Sequence, residues 1–201
     1  PLGRGDVGVP EFDLLDTRGG DELLEERIVD SSPVFHGGFL RVDKVDVVLP
    51  NGKPAAREVI RHPGAVALVA LSDEGKVLLV RQYRAALERV TLEIPAGKLE
   101  LGEDPQLAAV RELEEETGYT AERLDYLMPV ACAAGYSDEV IHLYMATGLH
   151  KGEAHPDEDE FVAAEWVDLE TLVDSVLDGR IEDSKTVIAA LICDAMRHRV
   201  R

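Results

Sequence analysis

Cysteine is nearly absent from this 201-residue chain: Cys132 and Cys193 stand alone, 61 positions apart, with no C-x-x-C spacing. That excludes a dense disulfide framework and a cysteine-built zinc or dithiol redox site, and it fits a reducing cytoplasm. Basic residues are also few, 21 against 40 acidic, for a formal net charge of -19. A surface this negative repels a phosphate backbone, which argues against nucleic acid as a general partner. A phosphate-bearing small ligand would have to be met by a local cluster of Arg or Lys, or by divalent metal. No apolar run approaches the roughly 18 residues of a membrane span. The opening PLGRGDVGVPEFDLLDTRGGDE lacks the charged-then-apolar pattern of a secretory signal, so the expectation is a protein neither exported nor embedded.

What the chain does have is a normal apolar share, 45%, with 30% charged residues, the composition of a soluble globular protein. The length allows one domain with an extension or two small ones, and a chain of this size buries about 70% of its extended surface. Residues 1–22 are Gly-, Pro- and Asp-rich and read as a flexible tail. From Phe39 to Leu49 apolar and polar residues nearly alternate, then break at Pro50-Asn51-Gly52 before a second extended run, Ala55 to His62, which predicts a hairpin. Ala65–Leu71, Val77–Tyr83 and Thr91–Ile94 read as buried strands. Asp104-Pro105 starts a helix that Gly118 stops. Further strands are predicted at Leu124–Ala131, Val140–Ala146 and Ala163–Val167. Two closing helices follow, one from Asp168 to Gly179 and one capped by Asp183 or Ser184.

The chemistry lies in residues 97–119, GKLELGEDPQLAAVRELEEETGY. On the predicted helix Glu112, Glu115 and Glu116 stand at i, i+3 and i+4, so three carboxylates share one face. They are hard oxygen ligands suited to Mg²⁺ or Mn²⁺, whose usual partners are substrate phosphates. Arg111, four residues before Glu115, is placed to orient or neutralise it. Val110, Leu113 and Leu107 are expected to hold the helix against a sheet. A run such as Leu113-Glu114-Glu115-Glu116 is, taken alone, usually a solvated helix face.

The wider pattern resembles the Nudix box: G, five residues, E, seven residues, then R-E-apolar-x-E-E-x-G-apolar. Gly97, Glu103, Arg111, Glu112, Leu113, Glu115, Glu116, Gly118 and Tyr119 fill every specified position. The resemblance implies an α/β fold, a Nudix α/β/α sandwich with a mixed sheet, preceded by a small N-terminal antiparallel β region. It divides the chain into the tail 1–22, a dimer-forming β region 23–62 and a catalytic domain 63–201. It also implies Glu112 and Glu116 as central metal ligands, Glu115 alongside, a further ligand in the carbonyl of Ala96, and Glu103 as a support of the loop.

Outside the box, Arg57-Glu58-Val59, Arg81-Gln82-Tyr83-Arg84, Glu93-Ile94-Pro95-Ala96-Gly97, Gly135-Tyr136-Ser137-Asp138-Glu139 and an acidic loop before Phe161 are similar to the ADP-ribose pyrophosphatases. That likeness implies a homodimer and metal-dependent hydrolysis of ADP-ribose to AMP and ribose 5-phosphate. Arg57 and Arg84 become candidates to hold the diphosphate or terminal ribose, the alternative for each being a surface ion pair. Phe39 is a candidate to stack on adenine, or else a core residue. In this subfamily the general base comes from the mobile acidic loop, here Asp157-Glu158-Asp159-Glu160, where Glu158 and Glu160 fit equally and a merely solvated loop is the alternative. Glu139 is a further carboxylate for water or metal. Ala134 stands where the subfamily commonly has proline, which leaves the nucleotide open: GDP-mannose is the enzymatic alternative, and an ADP-ribose-sensing module the non-enzymatic one.

Overall fold

A computed structural model describes residues 24–155 and 161–199. The chain forms two compact units, the first ending at Val59 and the second beginning at Ile60. The first is built on a sheet ordered β1 (Arg27–His36), β2 (Arg41–Val48), β3 (Pro54–Arg61), with β1 and β2 antiparallel. The turn between β2 and β3 falls at the Pro50-Asn51-Gly52 signal. There Gly52, at φ 80°, donates its amide to Leu49 O at 2.8 Å, and the Asn51 side chain accepts from Lys53 N at 3.0 Å. The alternation seen in the sequence buries Asp43, Val45 and Val47 on one face of β2. β1 was not foreseen as a strand. All ten of its residues are exposed, so no buried face marks its sequence, and Pro33 sits at a register shift, where a strand tolerates the missing N–H.

The second unit continues with β4 (Ala65–Ala70), β5 (Lys76–Arg84), β6 (Arg89–Glu93), β7 (Ala96–Lys98), α1 (Pro105–Thr117), β8 (Tyr119–Ala131), β9 (Val140–Lys151), β10 (Ala163–Asp168), α2 (Leu169–Leu177) and α3 (Ser184–Arg199). Its strands make one sheet ordered β7-β4-β9-β8 and another ordered β10-β5-β6. β4 and β9 run parallel, while β7 and β8 pair antiparallel at the two edges, so the larger sheet is mixed.

Strand period places the two layers of core. On β4, Ala65, Ala67 and Val69 join Leu143, Leu172, Ala189 and Cys193 on the side of α2 and α3, while Val66, Leu68 and Ala70 join Ala108, Ala109 and Leu113 on the side of α1. A strand buried on both faces reads as a continuous apolar run, as β4 does. The architecture is the expected α/β/α sandwich. Among the described residues no helix is long and apolar enough to cross a membrane.

Candidate active site

The site is built on α1. Asp104 caps the helix, its carboxylate accepting from Gln106 N at 2.9 Å and Leu107 N at 3.2 Å, and Pro105 takes the first helical position. Gly118 ends it at φ 71°, donating its amide to Glu114 O at 2.8 Å. The buried stripe runs through Ala108, Ala109, Glu112, Leu113, Glu116 and Thr117, a helical period in which two positions are glutamates. Leu113 packs against the sheet as expected, but Leu107 and Val110 are exposed; the two alanines hold the close approach instead.

Burying carboxylates on a helix face is costly unless they are partnered, which makes Glu112 (8% exposed) and Glu116 (5%) the anomaly that marks a site. Glu116 accepts from the amide of Ala96 at 3.1 Å. Glu112 lies over Gly97, where a Cβ would stand 1.9–2.2 Å from its carboxyl atoms, so only glycine clears the space this carboxylate occupies. Arg111 gathers the rest: Nη1 donates to Glu112 at 2.8 Å and Glu115 at 2.9 Å, and Nε to Glu103 at 3.0 Å. Glu103 in turn accepts from Glu100 N at 2.9 Å, tying the loop before the helix to Arg111. Arg111's hydrogen bond, joined by that amide, lowers the Glu103 pKa.

Among the described residues no group of three His, Cys, Asp or Glu side chains is placed to hold an ion, and Arg111 pairs with Glu112 and Glu115. The donor set nevertheless fits a hard divalent cation. Three carboxylates lie within five residues of one helix, two of them buried against the Ala96-Gly97 backbone, and Gly97 leaves their approach open.

The stem of the acidic loop rides on the end of the same helix. Gly152 N donates to Gly118 O at 2.6 Å and His155 N to Glu115 O at 3.0 Å. Glu158 and Glu160 lie outside the described residues. Glu139 sits just before β9, at the end of the sheet where Ala65 pairs with both Ile141 and Lys98. Its Oε1 lies 3.6 Å from Nδ1 of His62, while the neighbouring Asp138 accepts from His62 N at 2.9 Å and Arg61 at 3.1 Å.

Arg84 ends β5 in a bidentate pair with Glu93, Nε to Oε1 at 2.8 Å and Nη2 to Oε2 at 2.7 Å. Glu93 is 3% exposed and also takes the ammonium of Lys185, itself 2.9 Å from Asp183. Burial pushes the Glu93 carboxyl up, but hydrogen bonds and charge from Arg84 and Lys185, with the Thr91 hydroxyl, outweigh it and hold the group at about 2. The hydrogen-bonded Glu93 above all, with charge from Asp183 and Glu116 adding to it, raises the pKa of Arg84 against the opposing effect of burial.

Phe39 and Arg57 belong to the N-terminal unit. Phe39 lies in the bend before β2, not in the strand expected for it, and is exposed. Arg57 is paired with Glu26 and donates to Ala56 O at 3.0 Å.

A family profile described as the NUDIX domain matches residues 61–191, which contain this whole arrangement of helix, glycine and carboxylates. The chain belongs to the Nudix family. Among similar sequences, the methanol dehydrogenase activator of Bacillus methanolicus is 46% identical over 183 residues, covering 89% of this chain and 99% of the activator. The ADP-ribose pyrophosphatase of Bacillus subtilis (strain 168) is 45% identical over 168 residues, 83% of this chain and 91% of that enzyme. A crystal structure of an ADP compounds hydrolase superposes with a TM-score of 0.76 at 24% identity, over 88% of this chain and 97% of that one, a likeness of fold. Within this Nudix domain the sequence reading missed Glu93, Lys185 and Asp183 as a group. Glu93 stood inside a quoted segment, but its partners lie some 90 positions away. The one local signal was a lysine in the first turn of a helix, where the macrodipole disfavours a cation.

Proposed function

We propose that this Nudix hydrolase splits ADP-ribose at its diphosphate, with Mg²⁺, giving AMP and ribose 5-phosphate. The observation that carries the reading is the buried pair Glu112 and Glu116 held against Ala96 and Gly97 in an intact box. The likeness to an enzyme named ADP-ribose pyrophosphatase supports the substrate. A divalent cation, when bound, supplies neutralisation of the phosphoryl oxygens and acidification of water. Glu112, Glu116, Glu115 and the Ala96 carbonyl are its proposed holders, and Arg111 orients the first and third of these carboxylates. Arg84, fixed by two hydrogen bonds to Glu93, keeps Nη1 for a diphosphate oxygen. Arg57 and Phe39 are proposed to complete the nucleotide site, Phe39 through its exposed ring.

Glu158 or Glu160 is proposed to take the proton of the attacking water, with Glu139 as a further carboxylate near the opposite edge of the box. The chain stem that leads to the two loop glutamates starts at the C-terminal end of α1, which favours them. Replacing the operating base by glutamine should cost about 10² to 10⁴ in kcat with substrate binding retained. We also propose a homodimer formed through residues 23–62, in a reducing cytoplasm suited to the free thiols of Cys132 and Cys193.

Phosphomonoester release from a panel of ADP-ribose and GDP-mannose tests the substrate. ADP-ribose should be favoured; preference for GDP-mannose would move the specificity and keep the mechanism, and no turnover of either by folded protein would point to a different diphosphate or to a sensor. A second reading, activation of a dehydrogenase, has behind it the 46% identity that spans nearly all of the activator. It is tested by adding the chain to purified methanol dehydrogenase and following the rate of alcohol oxidation.

A further inference from the structure

Lys185 is a buried cation of the second unit whose position the box chemistry leaves unexplained. It is 7% exposed, lies in the first turn of α3, and faces two carboxylates, Glu93 and Asp183. A cation there opposes the positive end of the helix dipole. If the need were only to fill the core, apolar side chains in place of the whole buried ion cluster would serve as well or better.

The neighbours show what the charge does. Glu93 is shared between Lys185 and Arg84, so the cluster holds two cations and two carboxylates. Without Lys185, the single guanidinium of Arg84 would face Glu93 and Asp183 alone, with Glu116 adding to the negative field, and its charge would be spent inside the protein. The same segment reaches the box: Ile94 N donates to the Thr186 hydroxyl at 2.9 Å, Ala96 N bonds Glu116, and Gly97 lies under Glu112.

We propose that Lys185 is a positioning residue that acts through Glu93 on Arg84, fixing the guanidinium and leaving its positive charge available to a substrate diphosphate. The inference rests on the reading of Arg84 as a diphosphate ligand. The test measures KM and kcat for ADP-ribose with Mg²⁺ in the wild type, Lys185→Met, Lys185→Arg, Arg84→Gln and the double variant Arg84→Gln/Lys185→Met. Lys185→Met should raise KM about 5- to 20-fold with kcat within about threefold, the pattern of lost uniform binding. Lys185→Arg should recover most of that loss. The double variant should be no worse than Arg84→Gln, since both substitutions remove one effect.

A folded Lys185→Met with wild-type KM, or independent effects that multiply in the double variant, would overturn the proposal. A wild-type KM in Arg84→Gln would instead remove the reading of Arg84 on which it rests. If Lys185→Met does not fold, Lys185→Gln removes the charge while keeping a hydrogen-bond donor beside Glu93 and Asp183 and leaves Glu93 on Arg84. It should show the same rise in KM, and a wild-type KM there would overturn the proposal.

Discussion

At Gly97 a hydrogen stands where any other residue would drive a carbon into the Glu112 carboxylate. Gly97→Ala should therefore displace Glu112 and lower kcat/KM for ADP-ribose by at least about 100-fold, while the melting temperature falls only modestly, because the clash is with a side chain that can swing away. Activity near that of the wild type would mean that Glu112 works from another position. Glu93 gives a second prediction at this scale. Its folded pKa of about 2 lies below the ordinary 4.5, so its ionised form is favoured in the native state. Its contribution, on the order of 3 kcal/mol, is fully present above pH 4.5 and is lost as the pH falls from 4.5 towards 2. Urea titrations over that range should show a shallower acid loss in Glu93→Gln than in the wild type; equal slopes would mean that the carboxylate is not held ionised.

Among the elements, α1 depends on its C-terminal cap for more than its length. Gly118 is left-handed at φ 71°, and a Cβ there would lie 2.7 Å from Ala154 N in the stem of the acidic loop. Gly118→Ala should cost about 1 to 3 kcal/mol in denaturant unfolding, more than a cap alone, because strain and a backbone clash add. A cost of a few tenths would show that the stem does not pack on the helix end. This helix was legible in the sequence to the residue, since Asp104, Pro105 and Gly118 each act locally. The strands β4 and β5 were legible as apolar runs and the β2–β3 turn as Asn51-Gly52. What was not legible depends on distant partners: β1 carries no buried face, the helix phase that exposes Leu107 and Val110 depends on how closely Ala108 and Ala109 approach β4, and the Arg84-Glu93-Lys185 cluster joins three separate stretches of chain. The three box glutamates and the Arg111–Glu115 pair were legible from spacing, whereas the reach of Arg111 to Glu112 and Glu103 and the bond from Ala96 N to Glu116 depend on how the loop folds back on the helix.

For the whole molecule, a net charge of -19 sets the problem that the site solves. An anionic substrate meets a repelling surface, and the proposed binding by metal and by a few well-held arginines answers that repulsion locally. The N-terminal unit leaves Ile28, Val34 and Phe35 more than half exposed on β1, apolar surface that a second copy would cover. Light scattering on the eluting protein should give twice the 22.0 kDa chain mass, and removal of residues 23–62 should abolish the dimer; a monomer at all concentrations would contradict a shared N-terminal sheet.

The central claim, that the box glutamates hold a divalent cation for diphosphate hydrolysis, is tested most directly by phosphomonoester release from ADP-ribose, with Mg²⁺ and with EDTA, for wild type and Glu112→Gln. The account predicts release with Mg²⁺, none with EDTA, and a loss of at least about 100-fold in a variant that melts with the wild type. Release indifferent to EDTA, or a Glu112→Gln variant as fast as the wild type, would contradict it.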